Sequence, residues 1–419
     1  MVMHRSAFLG GAVTAAAAAT FPRRSSAAST IKIGFIDSFS GALADIGLHH
    51  RVGVEIALEA ANRRGATRYE LVAADDNSRP AVGVTEARRL ISQENVDVLM
   101  LGTSSAVALA VGPVAQQTGI FVLAIGAQDT NITGDKATRV LYRFSPNVQM
   151  QIHALSQRIL SFGKKWFFVV DDFAYGKDGY ARLSALLKRA GGTESGADIL
   201  KLGTEDYSST LTKMRNSDAE VLVLCQGGFD AAKIAQQFVD FGLHKKMHLA
   251  GTNMEDYYWK SFPTEQLIGS TFAIPWSPLL SDSSMKFARM LQPHLSEPIT
   301  ARHYFGYLCT TQLIDRLHAA GTTKADAIVN AFADHRFDAG KASPAMWRAC
   351  DHQCVQDEYA GAIVSKRQRE KTHFMYEIVA EVSGIAAAGT CNDPDASAAA
   401  EAIASQKTPD RTGYEAKPA

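Results

Sequence analysis

The sequence predicts an α/β fold with two doubly wound parallel-sheet lobes. Short, nearly continuous apolar runs alternate with amphipathic helical patterns, as is typical of parallel strands buried on both faces. The alternation stalls at residues 142–146 and again at 271–278, which indicates that the chain crosses between two lobes at both places. With 419 residues, the chain is also too long to fold around a single core.

The elements follow from these patterns in chain order. Predicted strands lie at 31–37, 69–74, 96–101, 120–125, 166–171, 220–225 and 247–251. Predicted helices lie between them at 80–93, 105–117, 148–162, 177–190 and 231–241, after a first long helix that ends near residue 65. Further helices at 284–293, 300–319 and 323–333 are expected to return to the first lobe, and strands at 359–364 and 374–382 follow.

These elements predict the domain boundaries. Residues 29–145 and 275–345 form the amino-terminal lobe, and residues 146–274 and 346–385 form the carboxy-terminal lobe. Residues 386–419 are rich in Ala, Ser, Asp, Thr and Pro, which predicts a disordered tail.

The first 28 residues resemble an export signal. A short basic start precedes an apolar run at 7–21, and small residues then favour cleavage near Ala28. The motif at 4–9 looks like a twin-arginine signal whose first Arg is replaced, so the general secretory and twin-arginine routes both stay open. We therefore expect a periplasmic protein.

Composition excludes some partners. The chain holds 43 basic and 43 acidic residues, and removal of the leader leaves a net charge of about −3. No nucleic acid or polybasic membrane contact is therefore expected, and we predict a monomer.

Cysteine usage fits an exported protein. Cys225 and Cys309 fall in apolar patterns and are expected to be buried thiols, whereas the other three lie in the irregular carboxy-terminal part. We expect a disulfide that joins Cys391 to either Cys350 or Cys354.

Parallel sheets bind ligands at the carboxyl ends of their strands, and this rule selects loops of the first lobe. Ser104 and Ser105 open a helix directly after a strand, where hydroxyl and free N–H groups favour an anion such as a carboxylate. The alternative for Ser104 is a plain helix cap. Gln128, in the loop that starts at Gly126, would add an amide donor or lie in a surface turn.

The second lobe offers aromatic and polar candidates at its strand ends. Tyr175 and Phe229 would either close on a ligand or belong to the core. Asn253 is neutral where a carboxylate would be needed to hold an ammonium group, but Glu255 and Asp256 follow closely and could substitute. Arg302 would either pair with a ligand carboxylate or lie in solvent.

No catalytic constellation is recognisable. The sequence lacks GxGxxG after a strand, GxxxxGK[ST], HExxH and GxSxG. The group Cys350, His352 and Cys354 has no recognised zinc spacing. We therefore predict no enzyme, no cofactor and no metal, and we interpret His49 and His50 as ordinary surface residues.

Several segments together resemble one family. These are IKIGFIDSFSGALADIG with VEIALEAANRRG, the acidic loop ADDNS, LMLGTSSAVALAVGPVAQQTGIFVLA, and VVDDFAYGKDG. They resemble the opening, second-strand loop, binding helix and second-lobe start of periplasmic solute-binding proteins of the leucine/isoleucine/valine type, which serve ABC importers. The resemblance covers roughly residues 31–382 and implies a type I periplasmic-binding-protein fold with a multi-strand hinge.

The resemblance also implies roles for the candidates. Ser104 and Gly126 with Gln128 would hold the solute carboxylate, while Tyr175 and Phe229 would close on the solute from the other lobe. The family's acidic ammonium partner falls on or near Asn253 here.

This departure leaves the solute class open. The implied function is capture of a branched-chain or related amino acid for a membrane permease. The alternatives are an aromatic or keto acid without an amine, and a ligand-sensing protein on the same fold.

Overall fold

The computed structural model describes Met1 and residues 30–65, 67–260, 262–372 and 374–391. Apart from Met1 the predicted leader lies outside these residues, and so does the predicted tail beyond residue 391. Two α/β lobes with separate sheets confirm the predicted fold class.

The first lobe is built on a five-stranded parallel sheet in the order β2-β1-β3-β4-β5. Its strands are β1 Thr30–Asp37, β2 Arg68–Asp75, β3 Val98–Leu101, β4 Phe121–Ala124 and β5 Leu141–Arg143. Its helices are α1 Ala44–Arg64, α2 Pro80–Ser92, α3 Ser105–Thr118, α8 Asp282–Leu291, α9 Ala301–Ala320 and α10 Ala325–Phe332. All residues of β3 and β4 are buried, as their unbroken apolar sequence predicts.

The second lobe holds a seven-stranded sheet in the order β15-β14-β10-β9-β8-β6-β7. The strands are β6 Lys165–Asp171, β7 Thr193–Leu200, β8 Val221–Cys225, β9 His248–Gly251, β10 Thr271–Ile274, β14 Glu358–Ile363 and β15 Tyr376–Val382. Its helices are α4 Val148–Ser161, α5 Ala174–Arg189, α6 Ser208–Arg215, α7 Asp230–Asp240, α11 Lys366–Thr372 and α12 Gly384–Ala388. The pairs β10–β14 and β14–β15 are antiparallel, whereas β7 through β10 are parallel.

Three chain segments cross between the lobes and form the hinge. They follow β5, β10 and a small third sheet of β11 Arg336–Phe337, β12 Ala345–Trp347 and β13 Cys354–Val355. The fully buried Arg143 ties two crossings together, since its Nε donates to Gln353 Oε1 over 2.7 Å and Gln353 Nε2 donates to the Ser145 carbonyl over 3.0 Å.

The predicted tail starts too early. Residues 386–388 belong to α12, and Cys391 forms a disulfide with Cys350 across a Cα–Cα distance of 6.2 Å. Ala387 and Ala388 are buried beside Met150 of α4, so a short apolar helix and a covalent bond order what composition alone suggested to be disordered. Cys225, Cys309 and Cys354 are buried free thiols.

Candidate functional site

The two lobes touch each other across the cleft at their strand ends. The backbone N–H of Thr130 in the first lobe donates to Asp178 Oδ2 in the second over 2.8 Å. The Tyr258 hydroxyl of the second lobe donates to Asp45 of the first lobe. The lobes are therefore closed, and groups from both lobes surround the space where strand-end loops meet.

The serines that open α3 hold the first-lobe loops. Ser104 is the N-cap residue of α3, and its hydroxyl accepts the Val107 N–H over 3.4 Å. The Ser105 hydroxyl accepts the backbone N–H groups of Gln128 and Asp129 over 3.0 and 3.1 Å. Ser105 thus fixes the loop after β4, while Ser104 keeps its hydroxyl proton to donate.

The loop after β4 brings a free amide donor to the cleft. Gln128 is 4% exposed, and its Nε2 has no hydrogen-bond partner in the described part of the chain. Gly126 opens this loop at a point where a Cβ would lie 2.4 Å from His50 Cε1. Glycine is therefore required here by the imidazole packed against the backbone.

Arg302 and Glu255 form a buried ion pair between the lobes. Arg302 Nε donates to Glu255 Oε1 over 3.0 Å, its Nη2 donates to the same oxygen, and Asn253 Nδ2 adds a third hydrogen bond over 2.7 Å. Burial favours the neutral acid, but the charge and hydrogen bonds of Arg302 hold the pKa of Glu255 below its usual value. The carboxylate is therefore ionised and already neutralised by protein groups.

Arg302 keeps one donor unused. Its Nη1 is buried and finds no acceptor among the residues that the structure describes. The guanidinium also lies over the Phe305 ring, 5.4 Å from its centroid. A buried guanidinium N–H without an acceptor is costly, so a carboxylate oxygen in the cleft would satisfy it.

The second-lobe aromatics differ from each other in burial. Tyr175 is 5% exposed and lies in the first turn of α5, because that helix begins at Ala174 rather than at the predicted residue 177. Its hydroxyl donates to Thr252 Oγ1 over 2.8 Å. Phe229 is 36% exposed and packs edge-on against Tyr258, so it lies at the rim of the cleft.

The interpretation of His50 as a surface residue was wrong. His50 is fully buried, and its Nδ1 lies 2.9 Å from Oδ2 of Asp37, the last residue of β1. The sequence carries a signal for this burial, because His50 shares the i, i+4 face of α1 with Ile46 and Val54. Strand-end selection of loops misses a helix side chain that points back to the strand end.

His49, Glu297 and His303 come together but do not form a metal centre. His49 Nε2 lies 2.8 Å and His303 Nε2 4.0 Å from Glu297 Oε1. The Thr300 backbone N–H donates to His303 Nδ1 over 3.2 Å, so the ring proton resides on Nε2 and blocks coordination there. The other compact group, Cys350 with Asp351 and Cys391, lacks thiolates because its two sulfurs form the disulfide.

The closed cleft leaves little open space. A cavity of about 20 Å³, room for one water, lies at its hinge end beside Glu255, Trp276 and Thr300. A cavity of about 250 Å³ lies between α1 and α9 beside Tyr69 and His318, towards the amino ends of the first-lobe strands. The polar groups therefore define the site better than cavity volume does, because contact between the lobes has removed the volume.

Fold and site define a two-lobed protein that encloses a solute between α/β lobes. Residues 30–368 match the family model described as periplasmic binding protein, and the chain belongs to this family. The family consists of exported solute-binding receptors rather than enzymes. None of the helices within the described residues combines the length and apolar character needed to cross a bilayer.

Curated relatives carry amino-acid names. The chain is 28% identical over 250 residues to Leu/Ile/Val-binding protein homolog 3 of Brucella melitensis, which covers 58% of this chain and 67% of the relative. It is 32% identical over 226 residues to Leu/Ile/Val-binding protein homolog 7 of Brucella suis, which covers 50% of this chain and 56% of the relative. The second alignment thus spans little more than half of that relative's length.

Solved structures share the fold. A periplasmic binding protein from Burkholderia mallei has a TM-score of 0.81 and 24% identity, covering 86% of this chain and 97% of that one. A solute-binding protein of an R. palustris ABC transporter, solved with 4-hydroxybenzoate, has a TM-score of 0.77 and 19% identity, covering 85% and 97%. A branched-chain amino acid ABC transporter ligand-binding protein from Burkholderia xenovorans has a TM-score of 0.73 and 22% identity, covering 86% and 97%.

Proposed function

We propose that this chain is the periplasmic receptor of an ABC importer and that it captures a small carboxylate-bearing solute in the interlobe cleft. The observation that carries the proposal is the pair of free buried donors, Arg302 Nη1 and Gln128 Nε2, which have no acceptor in the described ranges. Two buried donors that lack an acceptor suit a carboxylate, which offers two acceptor oxygens. The receptor would act as a monomer that docks on a membrane permease once closed.

The solute class has two candidates. The names of the Brucella relatives support a branched-chain or related amino acid. An acid that lacks an amine is favoured by a different observation, since Glu255 Oε1 already accepts hydrogen bonds from Arg302 and Asn253. A carboxylate engaged in this way attracts an ammonium group less than a free one does.

A thermal-shift screen tests the receptor function. The chain from Ser29 onward is unfolded and refolded to remove carried-over ligand, then mixed with aliphatic amino acids, aromatic acids and keto acids. A ligand at 100 times its Kd should add about 2.7 kcal/mol to the free energy of unfolding. Stabilisation by at least one of these carboxylates is expected, and a panel without any effect would contradict the proposal.

Ser104→Ala tests the assigned cleft. Loss of the hydroxyl donor should weaken binding of the best solute by roughly 1–3 kcal/mol, because a buried carboxylate oxygen is left short of a partner. Ser281→Ala is the matched control, since Ser281 caps α8 through its hydroxyl in the same manner, with the Ser284 N–H at 3.0 Å. Isothermal titration should give a higher Kd than the wild type for Ser104→Ala and an unchanged Kd for Ser281→Ala. A Ser104→Ala variant with the wild-type Kd would refute the assignment of the cleft.

A further inference from the structure

The buried Asp37–His50 pair lies at the strand ends of the first lobe, and its contacts are those of a binding site rather than those of a hydrophobic core. Asp37 ends β1, and its carboxylate accepts the Ser38 and Thr103 backbone N–H groups over 2.8 and 2.7 Å. A Cβ on Gly102 would lie within 2 Å of this carboxylate, so the loop after β3 wraps tightly around it. Two loops and one helix thus hold the pair at the strand ends.

The hydrogen bonds fix which ring nitrogen of His50 carries the proton. Asp37 Oδ2 lies 2.9 Å from Nδ1, and a carboxylate can only accept, so Nδ1 is the protonated nitrogen. Burial lowers the pKa of His50 more than the neighbouring Asp37 raises it, which keeps the ring neutral at pH 7. Nε2 therefore presents a bare lone pair.

That lone pair is buried and unused. His50 has zero exposure, and its Nε2 meets no hydrogen-bond donor within the described chain. The ring edge that carries Nε2 lies against Gly126, where the loop with the free Gln128 amide begins. A buried acceptor without a donor costs free energy comparable to a lost hydrogen bond, so a donor from a bound molecule would stabilise it.

The neighbours of His50 place this acceptor within the solute cleft. The His50 ring stacks on Phe305 with ring centroids 6.1 Å apart. The Arg302 guanidinium lies 5.4 Å from the centroid of the same Phe305 ring. The charges of Arg302 and Glu255 both act on His50. The lone pair and the free Arg302 Nη1 thus lie around the same Phe305 ring on the first-lobe side of the cleft.

We propose that His50 determines solute specificity by accepting, at Nε2, a hydrogen bond from a hydroxyl or amino group of the solute, while Arg302 and Gln128 donate to its carboxylate. The inference rests on the proposed function and names the solute class. The solute is a carboxylic acid that carries a second protic group. A keto acid with the same carbon skeleton places its keto oxygen, a hydrogen-bond acceptor, against the His50 Nε2 lone pair, so it binds more weakly.

Matched solutes test this pairing. Leucine, 2-hydroxy-4-methylpentanoate and 4-methyl-2-oxopentanoate share one carbon skeleton and differ in the amine, hydroxyl or keto group, and 4-hydroxybenzoate with benzoate forms a second set. Titration of the wild-type protein should give at least tenfold tighter binding for a protic member than for its aprotic partner. A preference for leucine identifies an amine as the source of the donor, and a preference for either hydroxy acid identifies a hydroxyl.

His50→Phe removes the acceptor and keeps a flat ring. This variant should lose the tenfold preference, so that the protic and aprotic members bind within about twofold of each other. His248→Phe is the control, because His248 is exposed at the start of β9 and stacks on Phe162 at 4.6 Å. The control should retain the wild-type preference.

A measurement on the wild-type protein covers the case in which His50→Phe does not fold. Nitrogen-15 NMR of histidine-labelled protein reads the proton on each ring nitrogen. The His50 resonances should show a protonated Nδ1 and a bare Nε2, and the Nε2 signal should move when a protic solute saturates the protein. A protonated Nε2 in the free protein, or no movement at saturation, overturns the inference.

The outcomes separate this inference from the function on which it rests. Binding of carboxylates without any preference for a protic member overturns the role of His50 and leaves the receptor function intact. A protein that binds none of the carboxylates overturns both.

Discussion

At the scale of single residues, a buried carboxyl group in the second lobe has a strongly raised pKa. Asp171 ends β6, where its carboxylate accepts the Gly227 N–H over 2.9 Å and the Gln226 amide over 3.0 Å. Burial, together with the charge of Asp230, raises the pKa of Asp171 to about 7. The same Gln226 has a buried Oε1 without a partner in the described residues.

Asp171→Asn should stabilise the protein above neutral pH. In the wild type, the folded state holds a proton that the unfolded state has released between pH 4 and 7, so stability falls as pH rises through that window. Asparagine does not release a proton in this range, so this loss of stability with rising pH disappears. The Gln226 amide can also turn over, so that its Oε1 accepts a hydrogen bond from the new side-chain amide. The gain in free energy of unfolding should be on the order of 2–4 kcal/mol at pH 8 and much smaller at pH 5.

Urea unfolding at both pH values measures this gain. Asp172→Asn is the control, because the next residue is half exposed and pairs with Lys177 at the surface. The control should change stability by less than about 1 kcal/mol at either pH. Equal effects of the Asp171 substitution at pH 5 and pH 8 would contradict the buried, proton-holding carboxyl group.

Candidate site residues were predictable where a loop follows a strand. That rule selected Ser104 and Gln128, and both side chains are buried at the loops it named, while their contact with a solute stays a prediction. Arg302 came from residue chemistry, yet its partner Glu255 lies in the other lobe, 47 residues away in sequence. His50 escaped because its role depends on contact with Asp37, which a helix pattern alone does not reveal.

At the scale of elements, the packing of α1 against α9 sets the geometry of the first-lobe side of the cleft. Both helices carry a glycine at the contact, and a Cβ on Gly53 or Gly306 would lie 2.3 Å from the His303 carbonyl or 2.1 Å from the His50 carbonyl. The backbones therefore touch without intervening side chains. His50 and Arg302 are held at fixed spacing by this contact.

Gly306→Ala should destabilise the protein by at least about 2 kcal/mol, because the added methyl forces two backbones apart. Gly179→Ala in α5 is the matched helix substitution, since its Cβ would meet Cys225 Cβ at an ordinary 3.5 Å. That change should instead add about 0.5–1 kcal/mol through lower backbone entropy in the unfolded state. Denaturant unfolding of both variants checks the opposite signs, and the same sign for both would count against glycine-mediated packing.

The elements were predictable where apolar runs are long and buried. The predicted runs at 96–101 and 120–125 contain β3 and β4, and helix α2 differs from its prediction by one residue. Strand β7 escaped because it lies at a sheet edge with a mostly half-buried or exposed, polar sequence. Strands β5 and β10 have only three and four residues. Their sequences were therefore interpreted as breaks in the alternation of strands and helices rather than as strands.

At the scale of the whole molecule, a disulfide fastens the carboxy-terminal part to the hinge. Cys350 and Cys391 are separated by 41 residues, and Arg348 Nη1 adds a hydrogen bond to the Gly389 carbonyl over 2.6 Å. The closed segment includes β13, β14 and β15. The bond therefore joins the third crossing to the end of the second-lobe sheet.

Removal of this bond should lower the free energy of unfolding by roughly 4 kcal/mol, the chain-entropy value for a loop of this length. Cys350→Ala combined with Cys391→Ala tests it in urea unfolding. The wild type in dithiothreitol should match the double variant, and the double variant should not respond to dithiothreitol. Indifference of the wild type to the reductant would contradict a stabilising bond.

The sequence predicted two lobes, the crossings after β5 and β10, and the family, because each is encoded in local pattern or in familiar segments. The lobe boundaries remain predictions. Closure was not predictable, since it depends on contacts such as Thr130 with Asp178 that join residues from different lobes. The choice of Cys350 over Cys354 likewise follows from three-dimensional proximity, because Cys354 faces the core in β13.

Trp276, the tryptophan in the hinge, is suited to report on lobe opening through its intrinsic fluorescence. Trp276 lies in the crossing after β10, is 3% exposed, and stacks on Tyr304 of α9 with ring centroids 4.7 Å apart and planes 7° from parallel. Trp166 and Trp347 are sealed within the protein. We expect opening of the cleft to move the crossing relative to α9 and to admit water to the indole, which would shift the emission of Trp276 without an attached dye.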